Sequence, residues 1–172
     1  MIRKISIGLA ILFTVSQSFA QNKDEITSKN SWLKAGLSAS VPVGPISNYS
    51  SFAAGVEISG QKMATKNLGL GLSTGYTHFF AKDNGESFGT IPVGLLVRVY
   101  PQPKGFFAGA DLGYTFLTNV DDVTGGLYVK PQVGYHNYNW NIFGFYNHVF
   151  MKKEFIDIQN AGIAATYNIR FK

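Results

Sequence analysis

The residues best suited to acid–base chemistry in this sequence are its 3 histidines, His78, His136 and His148. A histidine exchanges a proton near neutral pH, and beside a serine or a carboxylate it can activate a nucleophile. None of the three is followed by a serine two positions later, as it is in some lipid hydrolases of outer membranes. Asp83 and Glu86 fall in a loop near His78, but closeness in sequence alone is a weak signal. We therefore predict no catalytic residues and no enzymatic activity.

Other classes of chemical site leave no pattern in the chain. There is no cysteine, and the histidines are not spaced as zinc ligands. The glycines Gly69, Gly71 and Gly75 belong to a strand pattern and not to a phosphate-binding loop. The formal charge of the full chain is +5, and its basic residues are spread along the sequence, which argues against a nucleic-acid partner. We predict no metal, no cofactor and no nucleic-acid partner.

The elements that would carry these residues are strands, as residues 90–116 show most clearly. Apolar residues alternate there with a mixed set of glycines, hydroxyls and single charges, and a period of two is the signature of β-strands. Charged residues make up 15% of the chain, against about 25% in soluble domains. We interpret the apolar face as lipid-facing and the mixed face as the interior of a small transmembrane barrel.

The same alternation predicts an all-β fold, an eight-stranded antiparallel up-and-down transmembrane β-barrel. An even number of strands places both ends of the barrel on one side, which we expect to be the periplasm. The predicted inner turns are 60–67, 101–105 and 137–139, and the predicted outer loops are 44–51, 80–87, 118–126 and 148–159. The predicted strands are 32–43, 52–59, 68–78, 90–100, 106–116, 127–136, 140–147 and 160–171.

Prolines and aromatic residues add two local expectations. Pro92 falls near the outer end of its strand, whereas Pro131 falls inside strand six, where a bulge or a shifted boundary is expected because proline cannot donate to the ladder. Aromatic residues gather near strand ends and suggest two interfacial girdles. The girdle residues are Trp32, Phe106, Trp140 and Phe171 on the inner side, and Tyr76, Phe79, Phe88, Tyr114 and Phe116 on the outer side.

Six charged residues fall on the mixed faces of the strands and are expected inside the barrel. Buried charges need partners, so we predict a structural polar network in the lumen. A direct Arg98–Asp111 pair is not required, because the expected register places Asp111 opposite Gly94. The side chains would fill the lumen, and we predict no general diffusion pore. The predicted network residues are Lys34, Glu57, Arg98, Asp111, Lys130 and Arg170.

The first 20 residues have the form of a signal peptide. Arg3 and Lys4 precede an apolar run, and Ser18 to Ala20 fits a cleavage site, so export is predicted. The apolar run is about half the ~20 residues that a membrane-spanning helix needs. We predict a signal peptide at 1–20, a periplasmic lead-in at 21–31 and the barrel domain at 32–172.

The segments LGLGLSTGY, IPVGLLVRVYPQPKGFFAGADLGYTF and AGIAATYNIRF resemble the small eight-stranded outer-membrane barrels of the OmpA/OmpX-like kind, and more closely the "outer membrane protein β-barrel" family. The resemblance covers roughly residues 32–171 and concerns architecture. It implies a place in the bacterial outer membrane, contact with outer-membrane lipid, and recognition of the C-terminal strand by the barrel-insertion machinery through a final aromatic residue. Here Phe171 is followed by Lys172, a departure from that pattern.

The function predicted on this basis is a monomeric, non-enzymatic envelope protein with a structural or surface-interaction role. One alternative is an outer-membrane lipid-modifying enzyme. Another is a soluble periplasmic, lipocalin-like carrier, which would bury the apolar face; the glycine-rich and alanine-rich mixed faces suit water poorly. Several apolar residues lie in or beside the predicted loops, and they could either contact a surface partner or pack on one another. They are Val123, Phe150, Met151, Phe155 and Ile156.

Overall fold

The computed structural model describes residues 31–82, 85–120, 123–152 and 155–171, with side chains for all of these except Ser31, Arg170 and Phe171. The predicted signal peptide at 1–20 and nearly all of the predicted lead-in at 21–31 lie outside the described residues. In the described part, no helix has the length and apolar character needed to cross a bilayer.

Eight strands close into one barrel, and this confirms the predicted fold class. Each strand pairs antiparallel with the next along the chain, and the last pairs with the first from Ser31↔Phe171 to Pro42↔Asn160. We call the end of the barrel that holds both of these terminal strand ends the turn end, and the opposite end the loop end. The strands are β1 (Ser31–Pro42), β2 (Ser50–Met63), β3 (Leu68–Ala81), β4 (Phe88–Val99), β5 (Gly105–Thr118), β6 (Gly125–His136), β7 (Trp140–Phe150) and β8 (Ile158–Phe171).

Strand β2 is longer than predicted, because residues 60–63 continue the strand and do not form a turn. Gln61 pairs with Trp32 of β1, and Met63 pairs with Gly69 of β3. Both side chains are buried, so the inward face keeps its period of two beyond Gly60. The polar residues Gln61 and Lys62 suggested a loop, but a polar side chain is also expected in a strand where it points into a polar lumen, as Gln61 does. The turn to β3 is therefore only 64–67.

The loops at the loop end are shorter than predicted for the same reason. Strands β3 and β7 reach Ala81 and Phe150, and β8 begins at Ile158. His148, which was predicted to lie in a loop, is therefore a strand residue. The loop between β1 and β2 contains a short 3-10 helix, Gly44–Asn48, whose Ile46 side chain is buried over the lumen.

The prediction of a bulge or shifted boundary at Pro131 is wrong. The register of β6 against β5 runs unbroken through Ala110↔Pro131. Against β7 the pairing stops at Val129↔His148 and resumes at Gln132↔Phe145 in the same register. The missing N–H thus leaves a two-residue gap on the β7 side without shifting the ladder. Pro92 lies inside β4 and not near its end, and leaves the same kind of gap towards β3.

Two apolar clusters fill the lumen, one towards each end. The cluster at the turn end contains Met63, Tyr100, Phe107 and Phe143, among others. Two residues assigned to the interfacial girdles belong to these clusters, because their positions in the alternation point inward: Trp32 is 6% exposed and Phe79 is 1% exposed. The loop-end cluster consists of Ile46, Ala53, Phe79, Tyr128, Val149 and Ile158.

Candidate functional site

The polar side chains that point into the lumen form the candidate site. Lys34, Arg98, Asp111 and Lys130 point into the lumen and are each at most 8% exposed, and Glu57 joins them half-buried. Five different strands supply these five residues, so only closure of the barrel brings them near one another. Arg170 lies in β8, but its side chain lies outside the described part of the structure.

Lys130 and Glu57 form an ion pair across the lumen. The Lys130 ammonium lies 2.6 Å and 2.8 Å from the two carboxylate oxygens of Glu57. The ammonium also lies 4.3 Å from the centre of the Phe145 ring, in a cation–π arrangement. Strands β2 and β6 are not neighbours, so the pair braces the barrel through its interior.

Gln132 bridges Arg98 and Asp111 by hydrogen bonds. An Arg98 Nη2 donates to Gln132 Oε1 at 2.8 Å, and Gln132 Nε2 donates to Asp111 Oδ1 at 2.8 Å. No direct ion pair joins Arg98 and Asp111. In the observed register Arg98 faces Gly109, and Asp111 faces Leu96 and not Gly94 as expected. The Arg98 guanidinium lies over the Phe107 and Phe143 rings, 5.2 Å and 5.0 Å from their centres, in two cation–π arrangements.

Lys34 is bound by neutral groups. Its ammonium donates to Gln61 Oε1 and to the Tyr100 hydroxyl, each at 2.9 Å. The Tyr100 hydroxyl in turn donates to the same Gln61 oxygen at 2.9 Å. No carboxylate of the described residues lies within ion-pair distance of Lys34.

Sequence reasoning missed the neutral members of the site. Gln61 lay in a predicted turn, and Gln132 was read only as an inward polar residue. The signal that identifies both is the phase of the alternation, since each shares the inward face with a charged residue two positions away or in the neighbouring strand.

At least two small cavities lie among the described residues of the lumen. One, of about 30 Å³, lies beside Glu57, Asp111 and Lys130. The other, of about 10 Å³, opens at the turn end beside Trp32 and Lys34. A water molecule needs about 10–15 Å³, so these spaces admit single waters or ions and not an organic substrate.

The histidines do not converge on a catalytic site. His136 is buried at the turn end, where its Nε2 lies 3.1 Å from the Gln102 carbonyl oxygen. His78 lies on the outer face, with its Nδ1 3.2 Å from the Tyr76 hydroxyl. Within the described ranges, no group of three or more histidine, cysteine or acidic side chains could hold a metal ion.

His148 has a partner that the sequence reasoning did not find. Its Nε2 lies 2.9 Å from Asp157 Oδ2, and Asp157 Oδ1 accepts a hydrogen bond from the Met151 amide at 2.9 Å. These contacts with His148 and Met151 lower the pKa of the Asp157 carboxyl below its usual value. The acids considered near the histidines were Asp83 and Glu86, because they were nearer to His78 along the chain.

Comparison with known proteins connects this chain to others only through its fold. No family model and no curated protein matches the chain. The attachment invasion locus protein Ail of Yersinia pestis is 11% identical, with 83% of this chain and 100% of that chain covered, at a TM-score of 0.60. OprG, an outer membrane protein of Pseudomonas aeruginosa, is 13% identical, with 84% and 98% covered, at 0.51. A chain from the de novo design of transmembrane β-barrels is 14% identical, with 80% and 95% covered, at 0.51.

Proposed function

We propose that this chain is an outer-membrane β-barrel protein of the bacterial envelope, exported by a cleaved signal peptide, with a non-enzymatic structural or surface-interaction role. The observation that carries the proposal is the distribution of polarity. The barrel turns five charged side chains inward and large apolar side chains outward, the reverse of a soluble barrel.

The outward apolar surface runs around the whole barrel. Exposed side chains include Leu37 of β1 at 64%, Leu95 of β4 at 62%, Leu127 of β6 at 66% and Ile163 of β8 at 66%. Soluble monomers rarely expose continuous apolar patches of more than a few hundred Å². A lipid environment would cover this surface, whereas a periplasmic carrier would leave it in water.

Aromatic pairs near the turn end support the same placement. Phe106 packs against Tyr135 and Trp140 against Tyr167, with ring centres 6.0 Å and 5.1 Å apart, all on the outer face. Aromatic residues favour the boundary between hydrocarbon and headgroups. We therefore propose that the turn end of the barrel lies at this boundary.

A surface-interaction role would belong to the loop end. Exposed apolar residues occur in the loops there: Val120 at 39%, Phe155 at 40% and Ile156 at 40%. The name of the similarly folded Ail refers to attachment, which favours the same class of role without identifying a partner. By sequence, the loops carry the acids Asp83, Glu86, Asp121, Asp122, Glu154 and Asp157 against the bases Lys82, Lys152 and Lys153. This excess of acids disfavours a polyanionic partner.

The experiment that tests the proposal is fractionation combined with gel mobility. We expect the protein in the outer-membrane fraction, running as a compact form in detergent without heating and shifting after boiling. Recovery in the soluble periplasm without a heat-dependent shift would contradict the proposal and favour the carrier.

The His148–Asp157 pair is the one observation that favours a lipid-modifying enzyme instead. Lipid hydrolysis by the folded protein that disappears in both His148→Ala and Asp157→Asn would establish that alternative. Under our proposal, the folded protein does not hydrolyse added phospholipid, and neither variant changes that result.

A further inference from the structure

Charge in the barrel interior is not balanced. The described buried cations are Lys34, Arg98 and Lys130, and the described interior carboxylates are Glu57 and Asp111. Lys130 is paired with Glu57, and Arg98 reaches Asp111 through Gln132. This accounting leaves one positive charge, that of Lys34, without a described counter-charge.

The unbalanced charge lies deep in the protein. Lys34 is 1% exposed, and its ammonium has three N–H donors, of which Gln61 and Tyr100 accept two. Both Arg98 and Asp111 act on Lys34 through space, and the positive charge of Arg98 has the larger effect, so the surroundings of Lys34 are electropositive. An isolated buried ammonium is costly unless a counter-charge reaches it.

A second unsatisfied donor lies beside it. Trp32 is 6% exposed, and its buried indole Nε1 has no hydrogen-bond acceptor in the structure. Trp32 and Lys34 line the same 10 Å³ cavity at the turn end, and the Lys34 ammonium lies 5.7 Å from the centre of the Trp32 indole ring. The other polar residues of the wall include His136, Asn137, Asn141 and Asn168.

We propose that this cavity binds a small monovalent inorganic anion of the chloride class. Lys34 supplies the opposite charge, and the Trp32 indole N–H supplies a hydrogen bond. A halide accepts hydrogen bonds from several sides and needs no donor in return, which matches the third Lys34 N–H and the Trp32 indole N–H. A water molecule in the same place would satisfy Trp32 but leave the charge of Lys34 unbalanced.

The chain offers an internal probe, because Trp32 is one of its 2 tryptophans. The other, Trp140, lies on the outer face and packs against Tyr167, so Trp140→Phe keeps an aromatic ring there. In folded Trp140→Phe protein, bromide replaces methanesulfonate at constant ionic strength, and Trp32 emission is recorded. We expect quenching that saturates with bromide, and recovery of the emission when chloride, which quenches weakly, displaces the bromide.

Two charge variants in the Trp140→Phe background identify the site. Lys34→Met should abolish the saturable quenching and the recovery by chloride. Lys62→Met removes an exposed positive charge at the same end of the barrel and should leave both unchanged. Quenching that rises linearly and ignores chloride would overturn the proposal, as would saturable quenching that persists in folded Lys34→Met. The chloride competition needs no lumen substitution, so it decides the matter even if Lys34→Met does not fold.

Discussion

At the scale of single residues, we expect the largest loss of stability from breaking the Lys130–Glu57 ion pair. Replacing Glu57 by Gln leaves the Lys130 ammonium, whose side chain is 10% exposed, without its counter-charge. We expect a loss of about 3 kcal/mol in the free energy of unfolding, because breaking a buried pair strands the remaining charge. The measurement is urea unfolding in detergent micelles.

Two controls accompany that prediction. Glu86→Gln changes an exposed acid in a loop and should alter stability by less than about 0.5 kcal/mol. The double variant Glu57→Gln/Lys130→Met removes both charges and should recover most of the loss. If Glu57→Gln costs no more than Glu86→Gln, the pair does not stabilise the barrel.

Asp157 makes the β7–β8 loop sensitive to acid. The pKa of its carboxyl is lowered by hydrogen bonds from His148 and the Met151 amide. Its contribution to the stability of the folded protein is therefore present above the unfolded pKa of 3.8, and it is lost as the pH falls through the folded pKa. We expect the Met151 amide to be protected from hydrogen exchange at neutral pH and to lose protection below about pH 4. Asp157→Asn should reduce the protection and remove its acid dependence. Protection that stays constant down to pH 2 in the unsubstituted protein would contradict this role.

The alternation of polarity in the sequence predicts which side chains enter the lumen. It does not predict which of these side chains contact one another. Lys34, Glu57 and Lys130 each occupy an inward phase that a period of two makes plain. Glu57 and Lys130 are separated by 73 positions and lie in strands that are not neighbours, so their meeting depends on the stagger of the closed barrel. Gln61 and Gln132 escaped attention because a search for charged partners passes over neutral amides.

At the scale of the elements, close contact between strands explains why some glycines cannot be replaced. A Cβ added to Gly71 of β3 would overlap the Gly60 carbonyl oxygen and approach Gln61 Cα to 2.9 Å. A Cβ added to Gly60 itself would meet nothing within 4 Å. The two positions belong to adjoining strands, which makes them a matched pair.

We therefore expect alanine to have opposite effects at these two glycines. Gly71→Ala should destabilise the barrel by about 1–3 kcal/mol, because backbone must shift to admit the methyl group. Gly60→Ala should leave stability unchanged or raise it by up to about 1 kcal/mol, because alanine lowers the conformational entropy of the unfolded chain. Unfolding midpoints of the two variants test this, and equal effects would show that the strands adjust freely.

Strand positions were predictable where the two faces differ in polarity, and strand ends were not. Residues 60–63 of β2 were mistaken for a turn because polar side chains that enter a polar lumen resemble loop residues. In β7 the alternation of polarity is weak, because its inward residues, such as Phe143 and Phe145, are as apolar as its outward ones. Those rings pack in the turn-end cluster, which the rule of polar-inside barrels does not anticipate.

At the scale of the whole molecule, the orientation in the membrane can be tested through the absence of native cysteine. Glu86 is exposed at the loop end and Lys104 at the turn end. An impermeant maleimide added to intact cells should label Glu86→Cys, and should label Lys104→Cys only after the outer membrane is opened. The opposite result would invert the proposed orientation.

The architecture was predictable as a whole because a repeated pattern in eight strands tolerates errors in any one of them.

Closure of the barrel has a consequence for its assembly. The β1–β2 through β7–β8 pairs join strands that are consecutive in the chain, and each can form as a hairpin soon after its two strands exist. The β1–β8 seam must wait for the last residues of the chain, because Ser31 pairs with Phe171. Until that seam forms, the incomplete sheet has two edges with unpaired backbone groups, and such edges favour pairing with strands of other copies, a risk that closure of the barrel removes.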